Sequence, residues 1–284
     1  MTAARPTGVV ADQSETIAFL RDHLRAEGVE PRLATTHASL VFLGRERAIK
    51  LKRAVRFPFL DFSTPQRRLA LCRRELELNR RTAPALYLAA RAITRAEDGG
   101  LECDGAGELV DAVVTMRRFA DADLLDARAQ AGDLSPDMMT RLARRLAAFH
   151  ADAAPDRTRG GAAAMARVLA LDEEALRGAG LFGEEETNAL TRALRETHAR
   201  LAPLLDARRA AGKVRRCHGY LTLKNICVHD GEATPFDCLE FDEDLATIDV
   251  LYDLAFLLMA LWLRARRDLA NLVFNRYLDA ADET

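Results

Sequence analysis

The chain has 284 residues, 49% of them hydrophobic and 30% charged, which is enough apolar material for one large domain or two lobes. A formal net charge of -2 provides no global basic field and argues against nucleic acid as the main partner. The cysteines Cys72, Cys103, Cys217, Cys227 and Cys238 form no close pair, so no disulfide framework is expected and a reducing cytoplasm fits best.

At the N-terminus, Arg5 and Pro6 stand without the apolar run of a signal peptide. Residues 14–27 then place Ile17, Leu20 and Leu24 at helical spacing behind a cap-like Ser14, with Gly28 as the stop. Short β-prone runs follow at Leu33, at 39–43 and at 47–53, the last two joined by Gly44-Arg45-Glu46 as an antiparallel hairpin. Residues 67–81 read as a charged helix that stops before Pro84. Three more strands are expected at 89–94, 101–103 and 109–116, with Asp98-Gly99-Gly100 turning between the first two.

Beyond Arg118 the pattern becomes helical, at 135–153 and 190–211, before short strands return over 214–237. The most apolar run, 250–263, is too short to span a bilayer and contains Asp253, so it reads as a buried helix and no membrane partner is expected. A strand-rich front and a helix-rich back predict an α+β, two-lobed fold. Its expected divisions are an N-lobe over 1–115, a hinge over 116–124 and a helical C-lobe over 125–284.

Candidate chemistry concentrates in Cys217-His218-Gly219-Tyr220-Leu221-Thr222-Leu223-Lys224-Asn225 and Phe236-Asp237-Cys238-Leu239-Glu240. These segments read like a kinase catalytic loop and metal loop in which an acid has become Tyr220. Magnesium takes oxygen ligands, and Asn225 and Asp237 supply them at the two ends of a hairpin turned by Asp230-Gly231. A zinc site would need Cys217, His218, Cys227, His229 and Cys238, which lack the usual ligand spacing.

Phosphate binding needs a cation on a rigid strand. Arg47-Ala48-Ile49-Lys50 resembles the Val-Ala-Ile-Lys strand of kinases, and Lys50 is the first candidate. Lys52, two residues on and on the same strand face, is the alternative. Glu75 or Glu77 on the next helix could pair with the lysine, with Glu75 preferred. The turn Thr36-His37-Ala38-Ser39 could cover phosphates, and the backbone of Met116-Arg117-Arg118-Phe119 could meet an adenine edge. No GxxxxGK[ST] motif occurs.

His150 has apolar neighbours at helical spacing and reads as a packed structural histidine, whereas Asp242, Glu243 and Asp244 read as a solvated charge run. Asp253 lies inside an apolar helix and needs a partner, for which the catalytic-loop backbone is the natural source.

Taken with Leu60-Asp61-Phe62-Ser63-Thr64, Asn79-Arg80-Arg81 and Ile248-Asp249-Val250-Leu251-Tyr252-Asp253-Leu254-Ala255-Phe256, these motifs resemble the aminoglycoside phosphotransferase and kinase-like superfamily. The likeness is closest to bacterial proteins in which such a domain is often followed by a P-loop ATP-binding domain. It implies a bilobal protein-kinase-like fold, ATP with Mg2+, and transfer of the γ-phosphate to a hydroxyl of a small molecule, with no acceptor specified. It implies catalytic-loop roles for His218 and Tyr220 with support from Asp253, cofactor roles for Lys50, Glu75, Ser39, Met116 and Phe119, and metal roles for Asn225 and Asp237.

Two departures stand out. Tyr220 occupies the place of the catalytic Asp, and Thr222 stands where close relatives often have a second His. Such relatives usually continue past the point corresponding to Thr284 through further helices and a P-loop domain, so the C-lobe of this chain is expected to lack its closing helices and that domain. A general base is worth roughly 10²–10⁴-fold, and a phenol with a reference pKa near 10 is a poor base at neutral pH. The sequence therefore supports either a phosphotransferase of altered or reduced activity, or a pseudokinase that binds nucleotide or a protein partner. Transfer of a nucleotidyl group is a third reading that nothing in the sequence requires.

Overall fold

The computed structural model describes residues 8–57, 60–281 and 283; Arg5, Pro6 and Thr284 lie outside them. Two compact units are present, one running to Met138 and taking in Leu223–Asp242, the other made of Met139–Thr222 and the chain from Glu243 onward.

The first unit begins with helix α1 (Ser14–Arg25) and strands β1 (Arg32–Thr35), β2 (Ser39–Leu43) and β3 (Arg47–Lys52). A small ladder of β4 (Arg56–Phe57) and β5 (Leu60–Asp61) leads into α2 (Pro65–Asn79). Strands β6 (Tyr87–Arg95), β7 (Leu101–Cys103) and β8 (Leu109–Arg117) complete a six-stranded antiparallel sheet in the order β1-β2-β3-β8-β6-β7. A 3-10 turn at Asp121–Asp123 and helix α3 (Leu125–Ala131) follow.

Strand β3 is central and buried on both faces, and its period of two separates two environments. Ile49 and Leu51 join Leu20 and Leu24 of α1 with Phe42, Ile93 and Val113 in an apolar cluster. Lys50 and Lys52, on the opposite face, reach Glu75 of α2. Helix α2 starts where Thr64 accepts the Arg67 N–H and Pro65 fixes the first helical position. It packs through Cys72 into a second cluster with Leu86, Tyr87, Ala112, Val114 and Cys227. Cys227 belongs to the returning hairpin of β10 (Ile226–His229) and β11 (Glu232–Pro235), so the sheet and the hairpin share one core.

Ser14 is not the cap of α1. The cap position is Gln13, which makes no side-chain cap because its amide is engaged elsewhere: it donates to the Lys52 carbonyl and Asp111, and accepts from the Ala54 N–H.

The second unit takes most of α4 (Pro136–Asp152), then α5 (Gly161–Ala179) and α6 (Glu184–Ala210). Strand β9 (Val214–Arg216) pairs antiparallel with β12 (Thr247–Asp249), which follows the short α7 (Glu243–Ala246). Helices α8 (Val250–Leu263) and α9 (Arg267–Ala281) close the unit. Within the acidic run 242–244, Glu243 pairs with Arg216 and Asp244 with Arg159 while both side chains stay accessible to solvent. Helix α6 starts six residues before the expected Leu190, because Glu184, Glu185 and Glu186 favour a helix N-terminus without any apolar period. Among the described residues no helix is long and apolar enough to cross a membrane.

The N-terminal part of α2 is fastened to the sheet by a buried pair: Arg68 donates to Asp111 at 2.6 Å and to the Phe62 carbonyl at 3.0 Å. Breaking such a pair strands a buried charge, so Asp111→Ala is expected to lower the unfolding free energy by about 3–5 kcal/mol. The double change Arg68→Met with Asp111→Leu, which removes both charges, should lie much closer to the parent chain. Urea denaturation of the three proteins checks the ordering.

Candidate active site

The first unit buries a continuous chain of charges. The Lys50 ammonium donates to Glu75 at 2.9 Å and to Asp237; the Lys52 ammonium donates to the other oxygen of Glu75 at 2.5 Å and to Glu240. Burial opposes the charge on Lys50, but Asp237, Glu75 and Glu240 outweigh it and hold its pKa well above the ordinary lysine value. Lys52 is likewise raised against its own burial by Glu240 and Glu75. Burial also works against ionised Glu75, yet the two lysines bring its pKa down to about 2. Burial pushes Glu240 the other way, above the usual carboxylate range. Glu77, the alternative to Glu75, instead pairs with Arg74 at the surface.

Exposure separates these acids. The Glu75 side chain is fully buried, whereas 41% of the Asp237 side chain remains accessible. A cation from solvent can therefore reach Asp237 but not Glu75. Asp237 also has φ +58°, a left-handed conformation that non-glycine residues rarely adopt. Several contacts impose it. The Asp237 N–H donates to the Tyr87 hydroxyl at 3.1 Å, the Cys238 N–H donates to the Asn79 side-chain oxygen at 3.0 Å, and Asn79 in turn donates to the Glu75 carbonyl at 2.9 Å.

The β10–β11 hairpin, turned at Asp230-Gly231, pairs Ile226 with Pro235. Its open end sets Asn225 against Phe236, whose N–H donates to the Asn225 carbonyl at 2.9 Å, with Asp237 next in the chain. Asn225 is itself buried and closes a 3-10 turn over Leu223–Asn225. The two oxygen-bearing side chains thus flank one end of one hairpin.

Met116 and Phe119 line an apolar cleft of about 110 Å³ with Val41, Leu43, Ala48, Leu86 and Phe236. The rings of Phe119 and Phe236 meet edge to face at 5.1 Å. The Arg117 and Arg118 amides already donate to the Leu86 and Glu46 carbonyls. Ser39 lies further along the sheet: it is buried, opposes Lys52 and not Lys50 in the β2–β3 register, and donates its N–H to the Thr36 hydroxyl at 2.9 Å.

In the second unit, the 217–222 loop is held by Asp253 of α8. One carboxylate oxygen accepts the Gly219 N–H at 2.8 Å; the other accepts the His218 N–H at 3.1 Å and contacts His150 Nε2 at 3.0 Å. His150 Nδ1 meets the Tyr277 hydroxyl at 2.8 Å, which joins α4, α8 and α9 through one imidazole. Burial raises the Asp253 pKa, but hydrogen bonding and charge from His150 reverse this and hold it below the usual value. His218 is fully buried, and its ring accepts the Tyr220 N–H at 3.3 Å. Tyr220 is the accessible residue of the loop, 54% exposed, with its ring edge-on to Phe256 at 6.0 Å.

Members of these networks that carry no role from sequence reasoning include Glu240, Tyr87, Tyr277 and Asn79, the last known only as part of a motif. Glu240 had a signal, because an acid between Leu239 and Phe241 needs a partner for the same reason that Asp253 does. The tyrosine hydroxyls act across more than a hundred residues of chain, at Asp237 and His150, and no local pattern marks them.

Comparison with known proteins identifies the family and the fold. The model of the phosphotransferase enzyme family (APH) matches residues 17–283. The uncharacterized proteins Rv2004c of Mycobacterium tuberculosis and Mb2027c of Mycobacterium bovis are each 30% identical over 254 residues, covering 88% of this chain and 49% of theirs. The chain thus spans about half the length of these curated relatives. Among solved structures, a choline/ethanolamine kinase family protein from Mesorhizobium loti aligns with a TM-score of 0.53 at 14% identity, covering 93% of this chain and 76% of that one. Choline kinase from Cryptosporidium parvum aligns with a TM-score of 0.55 at 12% identity, covering 96% and 80%. The α+β architecture is accordingly the bilobal kinase-like fold, and the chain belongs to the phosphotransferase enzyme family.

Proposed function

We propose that the chain binds ATP with magnesium and acts as a phosphotransferase toward a small-molecule hydroxyl, at a rate limited by the missing base at Tyr220. The observation that carries this reading is the placement of Lys50 between buried Glu75 and accessible Asp237. Magnesium-bound ATP supplies the phosphoryl group and neutralises its charge in transfer. Asp237 and Asn225 would hold the metal, Lys50 the phosphates, and the cleft at Met116 and Phe119 the base; Ser39, whose amide bonds Thr36, would support the turn above them. In lobe terms, 1–115 and 116–124 carry nucleotide contacts and 125–284 carries the loops.

Lys50 suits its role because its ammonium stays charged well above neutral pH and is already held in place by two carboxylates. Asp253 and His218 would shape the loop that presents Tyr220, since both bind its backbone. A phenol offers an O–H donor and is no substitute for a carboxylate as the acceptor of a hydroxyl proton. Tyr220, half exposed against Phe256, also favours a second reading, a pseudokinase that keeps the nucleotide and presents this surface to a partner.

Isothermal titration is expected to show magnesium-dependent ATP binding that Asp237→Ala removes and Lys50→Met weakens; no magnesium-dependent binding by the parent chain would sink both readings. Where binding is present, Tyr220→Asp is expected to raise turnover of ATP by roughly 10²–10⁴-fold by restoring a base. Measurable turnover in the parent chain that Asp237→Ala abolishes supports the phosphotransferase. Turnover in the Tyr220→Asp protein alone supports the pseudokinase.

A further inference from the structure

Two lysines share Glu75, and the proposed function uses only one of them. When Lys50 engages phosphates and Asp237 a metal, Glu75 loses part of what holds it. Lys52 has no such alternative: it is 1% exposed, donates to Glu75 and Glu240, and has the Phe62 ring 5.0 Å from its nitrogen. Its two carboxylate partners leave the ammonium no opening to a ligand.

Docking of α2 does not explain the pair. The helix is already fastened near its start by Arg68 to Asp111 and near its end by Asn79 to the Cys238 amide, with Cys72 packed between. A buried ion pair is moreover a weak source of net stability compared with apolar residues of the same volume. What Lys52 adds is a partner for Glu75 that stays in full when Lys50 shares its ammonium between Glu75 and a phosphate. Glu240 completes it by balancing the charge of Lys52 from the segment that carries Asp237, three residues upstream.

We infer that Lys52 and Glu240 are positioning residues which keep Glu75 oriented toward Lys50 while Lys50 holds the nucleotide; this rests on the reading of Lys50 and Asp237 given above. Glu75 is then presented to Lys50 without any movement of α2, and the two lysines of one strand divide the work of binding and bracing. The raised pKa of Lys52 and the lowered pKa of Glu75 agree with an ion pair that persists through the physiological range.

The test is ATP affinity in the presence of magnesium, by titration calorimetry, for the parent chain, Lys52→Met, Lys52→Arg and Glu240→Gln. Loss of a group that orients a binding residue costs about 10–100-fold in comparable supporting shells, and that is the expected effect of Lys52→Met. Lys52→Arg should recover most of it, and the effect should vanish in a Glu75→Gln background. The double change Arg68→Met with Asp111→Leu should leave affinity within about threefold, which separates orientation of Glu75 from anchoring of the helix.

Parent-like affinity in folded Lys52→Met, or an equal loss in the Glu75→Gln background, overturns the inference. If Lys52→Met does not fold, Lys52→Arg and Glu240→Gln decide it: a loss only in Glu240→Gln supports the inference, and unchanged binding in both removes it. Failure of the parent chain to bind ATP is a different result, which removes the nucleotide reading and this inference with it.

Discussion

Glu75 sits in the protein interior with an ammonium group on each of its oxygens, and the first unit is arranged around keeping it there. A carboxylate buried alone would take up a proton rather than stay charged. Two lysines at alternate positions of β3 prevent this, which requires the strand register, the position of α2 and the burial of both lysine stems at once. Glu240 and Asp237 extend the same network into the returning segment, so strand, helix and loop are linked by charge as well as by apolar packing.

The second unit repeats the device with a single acid. Asp253 is buried in α8 and satisfied by two loop amides and His150, so the conformation of the 217–222 loop is set by a helix rather than by the loop itself. Tyr220 is consequently displayed by a well-supported backbone. Its unusual side chain changes what the loop presents and not how the loop is held.

Much of this was legible in the sequence because the elements concerned obey local periods. The hairpin at Gly44 and the lysines two apart on β3 follow from the strand period, and the returning hairpin from Asp230-Gly231. The apolar neighbours of Asp253 likewise mark a buried acid in search of a partner. The start of α1 at Ser14 follows from the pattern, but its cap position does not: Gln13, a poor cap by type, is engaged by Lys52, Ala54 and Asp111, which are distant in sequence. The choice between Lys50 and Lys52 was equally beyond periodicity. Both point to the same face, and only the accessibility of Asp237 beside one and the enclosure by Glu240 and Phe62 around the other distinguish them.

The backbone at Asp237 bears on which residues the position accepts. A left-handed residue with a side chain carries a cost on the order of 1 kcal/mol that glycine does not. Glycine would relieve that cost with no change of backbone, but it would also take from the Lys50 ammonium one of its two carboxylates. Relief of backbone strain at this position is therefore bound to the loss of an ion-pair partner for a buried ammonium, and charge, not φ, sets which of the two residues the fold accepts.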